Sequence, residues 1–100
     1  MSFILPNGVE IPEEDLPIWS AYNCRCVIHS HLYAVCLHEE PTKSTNPNWR
    51  EEPWNRYPVC NDCHEKLHTM SRTGAKEYLD YWRSIHFPTA EQALRGMQWI

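Results

Sequence analysis

Five cysteines, at positions 24, 26, 36, 60 and 63, and six histidines, at 29, 31, 38, 64, 68 and 86, are the side chains of this 100-residue chain best suited to chemistry. Five of the six histidines fall between 29 and 68, interleaved with the cysteines. Thiolate and imidazole are the preferred protein ligands of zinc. An odd cysteine count without a secretory leader argues against a disulfide framework and for a metal site in a reducing compartment. Cys60-Asn-Asp-Cys63 supplies half of a tetrahedral site, because two thiolates three apart on a turn converge on one ion. The other half lies upstream, where Cys24-x-Cys26, Cys26-x-x-His29 and Cys36-x-His38 all offer a pair. Zinc bound there acts as a staple, adding folding free energy that a small core lacks. His64 and His68 are four apart, so on a helix they share a face and can hold the same ion.

These side chains need elements to carry them. Residues 1–11 read as an extended arm with Pro6-Asn7-Gly8 as a turn, and Pro12 with the acidic run that follows opens a short helix ending near Tyr22. From Cys24 to Leu37 the apolar and β-branched patches predict a knuckle followed by a strand. Residues 39–54, with three prolines and many small polar residues, form a long loop, a length that in so small a domain signals function. Arg56-Tyr57-Pro58-Val59 leads into the Cys60–His68 segment. A further helix is expected over 74–86, with Tyr78, Leu79, Tyr81, Trp82 and Ile85 as its core-facing stripe. Pro88 ends it, and Thr89 with Gln92 three residues on predicts a capping box opening a last helix through Leu94 and Met97.

Composition bounds the rest. At 42% hydrophobic residues with five tryptophans the chain is globular, and its length makes one domain that buries only about 60–65% of its unfolded surface. No run of about 18 apolar residues exists, so no membrane partner is expected, and the N-terminus lacks a basic n-region, so the expected location is cytoplasmic. The net charge of −4, with Glu10, Glu13, Glu14 and Asp15 clustered, runs against a general electrostatic grip on nucleic acid. Any such role must rest on a local site.

Over residues 24–70 the chain resembles the HNH endonucleases, the ββα-metal fold in its zinc-ribbon variant. The family pattern is a first knuckle, a strand ending in His-His or Asp-His with a proline shortly after, an asparagine about five residues before a second C-x-x-C, and a helix carrying H-x-x-x-H. Here Cys26-Val-Ile-His29, Leu37-His38-Glu39-Glu40-Pro41, Asn55 and Cys60-Asn-Asp-Cys63-His64-Glu-Lys-Leu-His68 fill those places. The resemblance implies an α+β protein: a small zinc-stapled ββα-metal core over 24–70, an N-terminal arm and short helix over 1–23, and C-terminal helices over 71–100 packed on the same domain. It implies Cys26, His29, Cys60 and Cys63 as ligands of a structural Zn2+, His29 replacing the usual cysteine. It implies His38 as the general base, Asn55 as the residue that orders the loop and orients His38 through its amide or approaches the metal, and His64 with His68 as holders of a catalytic Mg2+, Mn2+ or Ni2+. Leu37 stands where the family has a metal ligand.

The activity so implied is metal-dependent hydrolysis of phosphodiester bonds in DNA. The alternative is a module on the same fold that binds a protein or nucleic-acid partner without cleaving, using its acidic surface and Trp49 and Trp54 as aromatic anchors. A third reading is an unrelated small zinc protein.

Overall fold

The computed structural model of the chain describes residues 2–39 and 53–96, a mixed helix-and-sheet arrangement of the α+β kind. The N-terminal segment is a hairpin rather than the expected arm. β1 (Ser2–Ile4) runs antiparallel to β2 (Glu10–Pro12), with Phe3 opposite Ile11. The turn stands where Pro6-Asn7-Gly8 predicts it: the Gly8 N–H donates to the Leu5 carbonyl at 2.9 Å, and Gly8 adopts φ +87°, a conformation costly for residues with a Cβ. Leu5 and Ile11 are buried with Trp19 and Ala34 in a small apolar cluster, which is why the segment folds back.

A 3-10 turn over Glu13–Asp15 leads into α1 (Leu16–Ala21). Pro17 sits in its first turn, where a missing N–H has no consequence. Tyr22 closes the helix, and Asn23 and Cys24 then take the left-handed conformation, φ 54° and 60°, turning the chain into the knuckle. An isolated bridge between Arg25 and Tyr33 closes the base of that knuckle.

β3 (Cys36–Glu39) and β4 (Arg56–Val59) form the second antiparallel pair, with Cys36 opposite Val59, Leu37 opposite Pro58, His38 opposite Tyr57 and Glu39 opposite Arg56. Strand alternation puts Cys36, His38, Tyr57 and Val59 on one face and Leu37, Glu39, Arg56 and Pro58 on the other. Pro58 needs no ladder N–H in a two-stranded sheet, and its carbonyl accepts from Val27, tying the knuckle to β4. A 3-10 turn over Pro53–Asn55 precedes β4. Glu39 thus belongs to the strand and Pro53, Trp54 and Asn55 to a turn; the rest of the expected loop, Trp49 included, lies outside the described residues.

α2 (Asn61–His68), α3 (Arg72–His86) and α4 (Ala90–Arg95) follow. α3 starts at Arg72 rather than 74, because Ser71 caps it: the Gly74 N–H donates to the Ser71 hydroxyl at 3.1 Å. The expected capping box at Thr89 is absent; Thr89 holds helical backbone angles and makes no side-chain cap. Of the predicted stripe on α3, Leu79 is fully buried and Tyr78 and Trp82 pack at the core's margin, but Tyr81 is 58% and Ile85 49% exposed. The stripe is narrower than predicted because Ala75, Leu79 and Arg83 occupy the buried line. The principal core joins Ile18 and Tyr22, the knuckle, Tyr57 and Val59, Cys60, Cys63 and Leu67, and Ala75, Leu79, Ala90 and Leu94. Among the described residues no helix is long and apolar enough to cross a membrane.

Candidate metal centres

Cys60 directly follows β4 and stands at the N-cap of α2, while Cys63 lies in that helix's first turn, so one strand-to-helix corner aims both thiols at the same point. The facing donors come from the knuckle, which the Val27–Pro58 hydrogen bond holds against β4. The Sγ atoms of Cys26, Cys60 and Cys63 and a ring nitrogen of His29 all lie within 4.8 Å of one another. His29 Nδ1 is 3.5 Å from Cys60 Sγ and 3.4 Å from Cys63 Sγ. Zinc bonds of about 2.3 Å to sulfur and 2.0–2.1 Å to nitrogen, at tetrahedral angles, put sulfur and nitrogen about 3.5 Å apart. The donor set therefore fits a zinc ion in both chemistry and spacing. The His29 N–H donates to Cys26 Sγ at 3.3 Å, fixing the knuckle's turn around the sulfur. Burial, with the neighbouring thiols of Cys60 and Cys26, pushes the metal-free Cys63 thiol far above its ordinary range. Zinc binding must displace that proton.

Of the three upstream pairs the sequence offers, the structure selects Cys26 with His29. Cys24 and Cys36 stand outside the group: Cys24 packs with the small cluster around Trp19, and Cys36 sits on β3 at the margin of the principal core.

A second group forms one helical turn away. His38 on β3 faces α2, and the ligand atoms of His38, His64 and His68 lie within 4.8 Å of one another. The Nε2 atoms of His64 and His68 are 3.1 Å apart, and two imidazoles bound to one ion at right to tetrahedral angles place their nitrogens about 2.9–3.4 Å apart. His38 is buried, 6% exposed, with its ring 5.8 Å from that of His64 and 5.7 Å from that of His68. Burial, then the charges of His68 and His38, hold the His64 pKa below its ordinary value and favour the neutral, ligating form. Leu37 faces the opposite layer, packing against both apolar clusters, so no ligand is missing from its position on this face.

Asn55 does not join this group. Its Oδ1 accepts from Lys76 Nζ at 2.8 Å, and the same ammonium donates to the Tyr57 hydroxyl at 2.7 Å and to Asp80 at 3.1 Å. Arg83, 2% exposed, donates to Asp80, Glu91, the Tyr22 hydroxyl and the Trp54 carbonyl. Burial, against the lowering charge of Arg83, holds the Tyr57 hydroxyl protonated far beyond the ordinary tyrosine range. This network fixes the 53–55 turn and the strand residue directly opposite His38. Its signal in the sequence is the recurrence of Lys76, Asp80 and Arg83 at helical spacing through an apolar stretch, which spacing alone does not tie to Asn55 or Tyr57. Trp54 packs against the principal core, with the Arg95 guanidinium 4.7 Å from its ring centre.

No known protein family, curated protein or solved structure matches this chain.

Proposed function

We propose that the chain is a metal-dependent nuclease of the HNH kind, hydrolysing phosphodiester bonds in DNA at an ion held by His38, His64 and His68. The observation that carries this reading is the convergence of those three imidazoles beside a four-donor zinc site, with one helix contributing to both. A bound ion supplies Lewis acidity, stabilising charge on the scissile phosphate and the departing 3′-oxygen. The chain's own part is to hold that ion through neutral nitrogen donors and to keep β3 and α2 in register around it. All-imidazole donor sets suit zinc, nickel or cobalt better than magnesium, which prefers oxygen. His38 is in this reading a ligand rather than the general base that the resemblance implies, because a ring nitrogen of this buried side chain lies within 4.8 Å of those of His64 and His68. Asn55 acts through Lys76 and the turn it closes, not at the ion.

Plasmid nicking by zinc-loaded protein in Zn2+, Ni2+, Mn2+ and Mg2+, paired with Ni2+ titration calorimetry, tests this. The expected result is nicking in the borderline metals, and loss of both nicking and Ni2+ binding in His38→Ala. Loss of nicking with Ni2+ binding intact returns His38 to the role of base. Silence in every metal overturns the nuclease reading and leaves the partner-binding module, which the net charge of −4 favours.

A further inference from the structure

The two donor groups share a helix otherwise held to the body by one apolar side chain and by an exposed hydrogen bond from Lys66 to the Tyr78 hydroxyl of α3. α2 is eight residues long, too short to be stable alone. Only Cys63 and Leu67 of its side chains are buried, and Cys63 belongs to the four-donor group, so Leu67 is the one apolar side chain pinning the helix to the body. Cys63 and His64 are consecutive, pointing the first turn at both sites at once, and the His64 N–H donates to the Cys60 carbonyl at 2.9 Å. On the other side, Cys60 continues β4, whose register with β3 places His38 opposite Tyr57. An ion at the thiol site therefore fixes α2 against β4 and the knuckle. An ion at the imidazole site fixes the same helix against β3.

We infer that the two sites are positively coupled: occupation of the imidazole site tightens the zinc knuckle, and zinc in turn prepares the imidazole site. The inference rests on the metal-binding reading above, though not on cleavage. Each ion would tie α2 to the β3–β4 pair, so whichever bound second would lose less conformational freedom. Linkage makes the effect equal in both directions.

Hydrogen exchange on the zinc-loaded full chain, with and without saturating Ni2+, reads this. The informative amides are Val27, bonded to the Pro58 carbonyl, and His29, bonded to Cys26 Sγ. Neither belongs to an element that carries an imidazole of the second site, so an effect confined to the Ni2+ ligands leaves them unchanged. The expected result is exchange at both slowed at least about fivefold by Ni2+, the lower range of typical couplings between sites. In His68→Ala, an exposed position where alanine suits the helix, Ni2+ should leave both rates as they are. Ni2+ that binds by calorimetry yet changes exchange only in α2 and β3 overturns the coupling while sparing the site. Failure of Ni2+ to bind overturns the site and the coupling together.

Discussion

Leu37 and His38 are neighbours in sequence and back to back in space. The family pattern makes position 37 look like a lost ligand, and a histidine there looks like a repair. The pleat says otherwise, because residue 37 faces the apolar layer formed by the hairpin and α1. Leu37→His should therefore give no gain in Ni2+ affinity and should lower stability by roughly 2–4 kcal/mol, through lost apolar burial and a poorly solvated imidazole. Denaturant melts and Ni2+ titration check both halves; tighter Ni2+ binding would refute the face assignment. The residue across from His38 yields a second expectation. Tyr57→Phe keeps the buried ring but strands Lys76 and Asp80 without their shared hydroxyl. About 1–2 kcal/mol of stability should be lost, with zinc content unchanged by elemental analysis. The donor groups were legible in sequence where their spacing is local: Cys60, Cys63, His64 and His68 sit on one corner and one helix. The part of Asn55 was not, because its partner Lys76 lies 21 residues away on a separate helix.

At the scale of elements, the two C-terminal helices show how far a start signal can be trusted. Ser71 and Thr89 both precede helices, and Thr89 has the better pattern, with Gln92 three residues on. Only Ser71 has the extended backbone that lets a side chain reach back to its helix, φ −64° and ψ 156°, whereas Thr89 is already helical at φ −98° and ψ −6°. Phe87-Pro88 forces the tight entry into α4, and the turn geometry overrides the capping pattern. Ser71→Ala should cost about 1 kcal/mol in thermal or urea melts, and Thr89→Ala no more than a few tenths. Equal losses would contradict these caps. The same competition explains the hairpin and α3. Leu5 and Ile11 are too sparse to read as strands, yet they bury once Trp19 offers a surface. Tyr81 and Ile85 fit a helical stripe, but Arg83 takes the buried line, held by four oxygen partners from three other parts of the fold and its own helix. Glu91, one of those partners, has its carboxyl held below the ordinary range by its bond from Arg95 and by the charge of Arg83. A depressed folded pKa stabilises above the unfolded value of about 4.3 and is lost as pH falls through the folded one. Glu91→Gln should thus weaken the protein by about 0.5–1 kcal/mol at pH 7, since the carboxylate is partly exposed, and match the parent in strong acid.

For the whole molecule the question is what closes the principal core. The knuckle, the end of β4 and the start of α2 meet at Cys26, His29, Cys60 and Cys63, and three of those four side chains are themselves core residues. A domain of this length keeps about 5–15 kcal/mol of net stability, while structural zinc in small modules contributes about 10–16 kcal/mol of apparent binding free energy at pH 7. A zinc ion held there would therefore be comparable to the entire margin, and its removal should unfold the domain instead of loosening one corner. A strong chelator at pH 7, or Cys60→Ser, should abolish the cooperative melt followed by circular dichroism; a metal-free protein that still melts cooperatively near the parent temperature would refute the staple. The pH dependence has a definite sign. Burial and the adjoining thiols keep Cys63 protonated when no ion is present, so each zinc bound releases protons and acid competes with it. The melting temperature of the zinc-loaded protein should fall as pH drops below neutrality, with zinc appearing in the dialysate over the same interval. The carboxylates add to acid loss, but Glu91→Gln removes only its own share and leaves zinc release unmoved. A melt that weakens in acid while zinc stays bound would assign the acid limb to ion pairs such as Arg83–Glu91 and Arg56–Asp15 instead of to the metal.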